Sequence, residues 1–66
     1  MTNEEIEQRN NIRNMLSQFR ASLDRTKINL ALYKDLMDIS KFEEDFEQQE
    51  IRYQELYQTA KTLGIV

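Results

Sequence analysis

Apolar residues recur along this chain in two runs of the same rhythm. Ile12, Leu16, Phe19, Leu23, Thr26, Leu30, Tyr33 and Met37 alternate at spacings of four and three, with one polar residue, Thr26, in the series. Phe42, Phe46, Gln49, Tyr53, Leu56, Ala60 and Leu63 repeat the pattern, with Gln49 as the polar member. Spacing of this kind gathers the repeated positions into one stripe on an α-helix, the stripe that a partner helix covers. Ser40 lies between the runs. Folding the chain there sets Met37 against Phe42, Tyr33 against Phe46, Leu30 against Gln49 and Thr26 against Tyr53. The same fold sets Leu23 against Leu56, Phe19 against Ala60 and Leu16 against Leu63. One constant register predicts an all-α, coiled-coil-like antiparallel hairpin.

Capping signals set the expected ends. Thr2 with Glu5 forms the pattern of a capping box, and Glu4, Glu5 and Glu7 suit the positive pole of a helix. Ser40 with Glu43 repeats the pattern, followed by Glu44, Asp45 and Glu47. The spacing predicts a long helix over about 3–38 and a second over about 41–63. Gly64 is placed for a left-handed C-cap, with Ile65 free to fold back on the last turn. Asp24 or Thr26 could cap a new helix, so a break near 24–27 and a three-helix bundle is the alternative. No proline or other glycine enforces that break.

The hairpin leaves a second apolar stripe, Ile28, Leu32, Leu36 and Ile39, so residues 28–39 are apolar nearly all round. A helix apolar all round is covered on more than one side. The stripe is the expected oligomer interface, extended by Met15, with two hairpins pairing into a four-helix bundle as a homodimer. A higher oligomer or a three-helix monomer would also bury it. Thr26 and Gln49 in the seam would fix register at some cost in stability.

Length sharpens the need for a partner. A single domain of 66 residues buries a small core and is marginal alone. It has no cysteine for a disulfide staple and no histidine. The usual zinc sites, thiol nucleophiles and imidazole acid–base chemistry are therefore excluded. The acidic run at 43–47 lacks the spacing and glycine of a calcium loop. The serines have no nucleophile-elbow context, and there is no glycine-rich phosphate loop. No enzymatic activity and no cofactor are expected. No segment approaches the apolar length of a membrane span, and the acidic N-terminus is unlike a secretory signal. The expected location is cytoplasmic.

Charge is divided along the chain. Residues 8–34 carry six basic side chains and one acidic; residues 35–55 carry eight acidic and two basic. Arg13, Arg20, Lys27 and Lys34 recur every seven residues, and Lys34 with Glu43 and Lys27 with Glu50 would face each other across the hairpin. With a net charge of −3, this small acidic protein lacks the basic footprint of a nucleic-acid binder. Arg13 and Arg20 lie beyond the strongest acidic cover and are the candidate anion-binding residues. Ile51, Tyr53 and Tyr57 form a candidate partner-binding patch, since tyrosine is common at interface hot spots.

The sequence therefore points to a small non-enzymatic protein-binding module, an adaptor or inhibitor of a partner protein acting through a helical face. By fold-level analogy, many such proteins belong to bacteria, phages or mobile elements. Two other classes fit the same features. One is an oligomer that sequesters a small anionic ligand such as a nucleotide; the other is a structural or assembly factor.

Overall fold

The computed structural model describes all 66 residues. Two helices, α1 over Asn3–Tyr33 and α2 over Ser40–Thr62, run antiparallel as a hairpin 52 × 16 × 12 Å in extent. There is no strand. The hairpin is as expected, and the three-helix alternative is not: α1 runs unbroken through 24–27. Thr26 stays inside the helix by donating its hydroxyl to the Ser22 carbonyl (3.0 Å), and Asp24 pairs with Arg20 one turn back at 2.6 Å.

Thr2 caps α1 as predicted, accepting the Glu5 amide at 3.2 Å. The other end departs from expectation. The helix stops at Tyr33 instead of about residue 38, and the Tyr33 carbonyl accepts from both Leu36 and Met37 to make a tight turn. Continuing the helix would place Asp35 and Asp38 at its negative pole, where carboxylates are unfavourable. Stopping early moves Asp38 to the start of α2, where a carboxylate is favourable. There its Oδ1 accepts both the Ser40 amide (3.0 Å) and the Ser40 hydroxyl (2.6 Å). Ser40 is thus a donor inside the first turn and not the expected accepting cap; Ile39 occupies the cap position without a side-chain bond.

The early stop changes the register. Phe19 meets the Tyr53 ring edge-on, with centroids 5.6 Å apart. The expected neighbour was Ala60, seven residues further along α2. The shift is not uniform: Leu16 meets Ala60, three residues short of its expected partner Leu63, so the same stripes still face each other while the partners change. Leu16 packs with Ala60 and Ile65, joined by Ile12 and Tyr53.

The far end of α2 closes as a Schellman motif. Gly64 has φ +74, a left-handed conformation with little cost for glycine. The Ile65 amide donates to the Ala60 carbonyl (2.8 Å) and that of Gly64 to Lys61 (3.1 Å). Ile65 is thereby folded into the core. Five residues are buried in all: Leu16, Leu23, Ile39, Ala60 and Ile65. Two helices cover each other along a line, so most of the apolar stripe keeps one side open.

Candidate binding faces

The hairpin is a flat body with two broad faces and two outer edges. On one face, α1 presents Arg20, Lys27 and Lys34, and α2 presents Glu43, Glu47, Glu50, Tyr53 and Tyr57. Lys27, Lys34, Glu43, Glu47 and Glu50 line one shallow depression of 460 Å³. The expected charge complementarity is present as facing rows. No Lys27–Glu50 or Lys34–Glu43 contact forms, and Arg20–Asp24 is the one close ion pair. Exposed pairs of this kind contribute about 0–1 kcal/mol each, so little stability is lost where the rows face without pairing.

Arg20 is held from two sides. Its guanidinium bonds Asp24 and lies 5.6 Å above the Tyr53 ring. The Asp24 hydrogen bond, then its charge, raises the Arg20 pKa further above an already basic value. Arg13 is also engaged: its Nε donates to the Ile65 carbonyl, while Arg9 donates to the Gly64 carbonyl at 3.1 Å. The two candidate anion-binding arginines are seven residues apart and each has its own partner. The structure does not bring them to one point. Arg9 was not singled out in the sequence; its signal was the set of orphan carbonyls left after a Gly64 cap.

The candidate tyrosine patch is divided too. Tyr53 and Tyr57 stack with centroids 6.1 Å apart. Ile51 precedes Tyr53 by two residues, which at 100° per residue turns it toward the outer edge of α2. It is half exposed there. Of the expected oligomer stripe, Ile28, Leu32 and Leu36 line the outer edge of α1 and the turn and are 62%, 65% and 76% exposed. Ile39 is not with them. It is 6% exposed, turned inward by the Asp38–Ser40 bonds that start α2.

The second broad face is the feature that sequence reasoning missed. Expected seam residues remain open there: Tyr33, Met37, Phe42, Leu56 and Leu63 are all at least 40% exposed, as is Met15, the expected extension of the oligomer stripe. They border a groove along the hairpin. Near the chain ends it holds 170 Å³ between Met15, Leu16, Leu56 and Leu63. At mid-length it holds 340 Å³ between Phe19, Leu23, Thr26, Phe46 and Gln49. Toward the turn it holds 250 Å³ between Leu30, Tyr33, Met37 and Phe42. The available signal was geometric: a lone pair of helices cannot cover both sides of its own seam.

No three acidic side chains converge in a geometry that could hold a metal ion. No helix is long and apolar enough to cross a membrane. Compared with protein families, curated proteins and solved structures, the chain matches none of them.

Proposed function

We propose that this chain is a small protein-binding module, an adaptor or inhibitor, that works by burying an apolar helical face against other helices in a four-helix arrangement. One observation carries the reading. The hairpin exposes 5584 Å², whereas a folded monomer of 8.0 kDa exposes about 4,450 Å². The surplus of roughly 1,100 Å² exceeds the ~800 Å² that each partner contributes to a standard interface. Large apolar side chains are prominent in what the hairpin leaves open. Contiguous apolar surface on a small protein marks an interaction site.

The reading assigns no catalytic step, since neither histidine nor cysteine is available and the serines lack a base in context. Sequestration of a small anion draws less support, because Arg13 and Arg20 each already have a partner within the chain. Native mass spectrometry of the protein isolated from the cells that make it tests the proposal. The expected result is a stoichiometric complex with another protein. A chain carrying only a few hundred extra daltons would overturn the adaptor reading in favour of a captured small ligand. A bare homodimer would keep the buried apolar face and remove the adaptor or inhibitor role, and a lone chain that carries nothing would remove both readings.

A further inference from the structure

We propose that a second copy of this chain covers the open groove, in an antiparallel two-fold dimer that places α1 on α1 and α2 on α2. This rests on the reading that the hairpin works by burying an apolar face, and it commits that face to one occupant. The surplus area supports it first. Removing roughly 1,100 Å² from each copy buries about 2,200 Å² in total, within the range of obligate homodimers.

The order of residues along the groove supports it further. A two-fold interface is self-complementary: if residue i meets residue j, then j meets i. The pattern must therefore read alike from both ends. It does, being apolar at Met15 and Leu63, polar at Thr26 and Gln49 near mid-length, and apolar again at Met37 and Phe42. Turning one hairpin end for end sets apolar on apolar and lets the central polar groups bond each other across the axis.

Charge agrees. The groove flank of α1 carries none: Asn11, Met15, Gln18, Ser22, Thr26, Asn29 and Tyr33 follow one another there. The flank of α2 carries Lys41 at the turn end, then Asp45 and Arg52, which have opposite sign and lie seven residues apart on the same side of the helix. Gln48 and Gln49 lie midway between them. An axis passing at Gln48–Gln49 brings Asp45 of each copy level with Arg52 of the other, which makes two complementary pairs. In the hairpin alone neither side chain has an ion-pair partner. The opposite broad face, with its facing lysine and glutamate rows, stays in solvent. This arrangement differs from the one expected from the Ile28, Leu32, Leu36 stripe, which is left free on the outer edge.

The chain has no cysteine, so single cysteines report proximity without interference. Purified full-length protein should sediment at twice its 8.0 kDa mass at micromolar concentration. Gln49→Cys should form a disulfide-linked dimer under mild oxidation, at least tenfold faster than Leu32→Cys on the outer edge. Asp45→Arg should weaken the dimer roughly tenfold by setting like charges together, and Asp45→Arg with Arg52→Asp should restore it. Circular dichroism reads the folding of each variant. A parent that stays monomeric overturns the dimer. So does faster crosslinking at Leu32 than at Gln49, or a double reversal no tighter than Asp45→Arg alone. A chain monomeric when pure, yet bound to another protein when drawn from its own cells, overturns self-pairing and leaves the protein-binding reading standing.

Discussion

Phe19 meets Tyr53 edge-on at 5.6 Å, across the seam between the two helices. The contact lies one heptad from the pairing that continuous helices up to Ser40 would make. An aromatic pair in this geometry is worth about 0.5–1.5 kcal/mol beyond its buried area. A double-mutant cycle between Phe19→Ala and Tyr53→Ala should return a coupling of that size in thermal or urea unfolding. Thr26→Ala and Tyr53→Ala should add independently. Coupling of Tyr53 to Thr26, and none to Phe19, would restore the unslipped register.

Gly64 ends α2 with φ +74 and open space where a Cβ would stand. Substitution there meets backbone strain and no clash. Gly64→Ala should cost about 1 kcal/mol, the typical penalty for a left-handed non-glycine residue. The loss should appear as a lower Tm. It should be accompanied by faster amide exchange at Ile65, whose N–H bonds the Ala60 carbonyl in the same motif. An unchanged Tm would mean that the Schellman closure contributes nothing.

Asp38 accepts two hydrogen bonds from Ser40 at the start of α2. The Ser40 hydroxyl and then the Ser40 amide hold its carboxyl below the ordinary value of 3.8. A depressed folded-state pKa gives stability that is complete above the unfolded value and is lost as pH falls through the folded one. Acidification below about pH 4 should therefore loosen the 38–40 turn. Carbon-detected NMR should place the Asp38 midpoint below 3.8, and Ser40→Ala should move it back up. An Asp38 midpoint already ordinary in the parent would remove the capping role.

Much of the fold is legible in the residues. Thr2 at one end and Gly64 at the other act as their types imply, while Ser40 bonds Asp38 and caps nothing. The stripe from Ile12 to Tyr33 and its counterpart from Phe46 to Ala60 predict two helices and their facing sides. What escaped is the level at which they meet. A heptad pattern says which faces meet and says little about level: Phe19 meets Tyr53, seven residues from its expected partner, while Leu16 meets Ala60, three residues from its own. The choice falls to Asp35 and Asp38, whose charge disfavours a longer α1, and to Asp38 as the acceptor that starts α2. Arg13 and Arg20 were visible as a repeat. Their partners, the Ile65 carbonyl and Asp24, depend on the closure of the chain end and on one helical turn. Ile51 and Tyr57 fit the composition of a hot spot, and helical geometry parts them.

Leu23 and Leu32 share α1 and differ in burial, which makes them the sharpest test of where the core lies. Leu23 is 4% exposed at the seam, and Leu32 is 65% exposed on the outer edge. Truncating a buried leucine costs about 2–5 kcal/mol, through lost transfer energy and the cavity left behind. For a domain this small, with total stability of about 3–5 kcal/mol from a single core, that loss is most of what holds it folded. Leu23→Ala should abolish the cooperative melting transition at low concentration. Leu32→Ala should shift stability by no more than about 0.5 kcal/mol, as is usual for an exposed site. The contrast also bears on assembly. In a dimer through the groove, Leu32 lies outside the interface, so its truncation leaves both Tm and mass unchanged. If Leu32→Ala instead lowers both, the outer edge is covered in solution and the core extends beyond the single hairpin on that side.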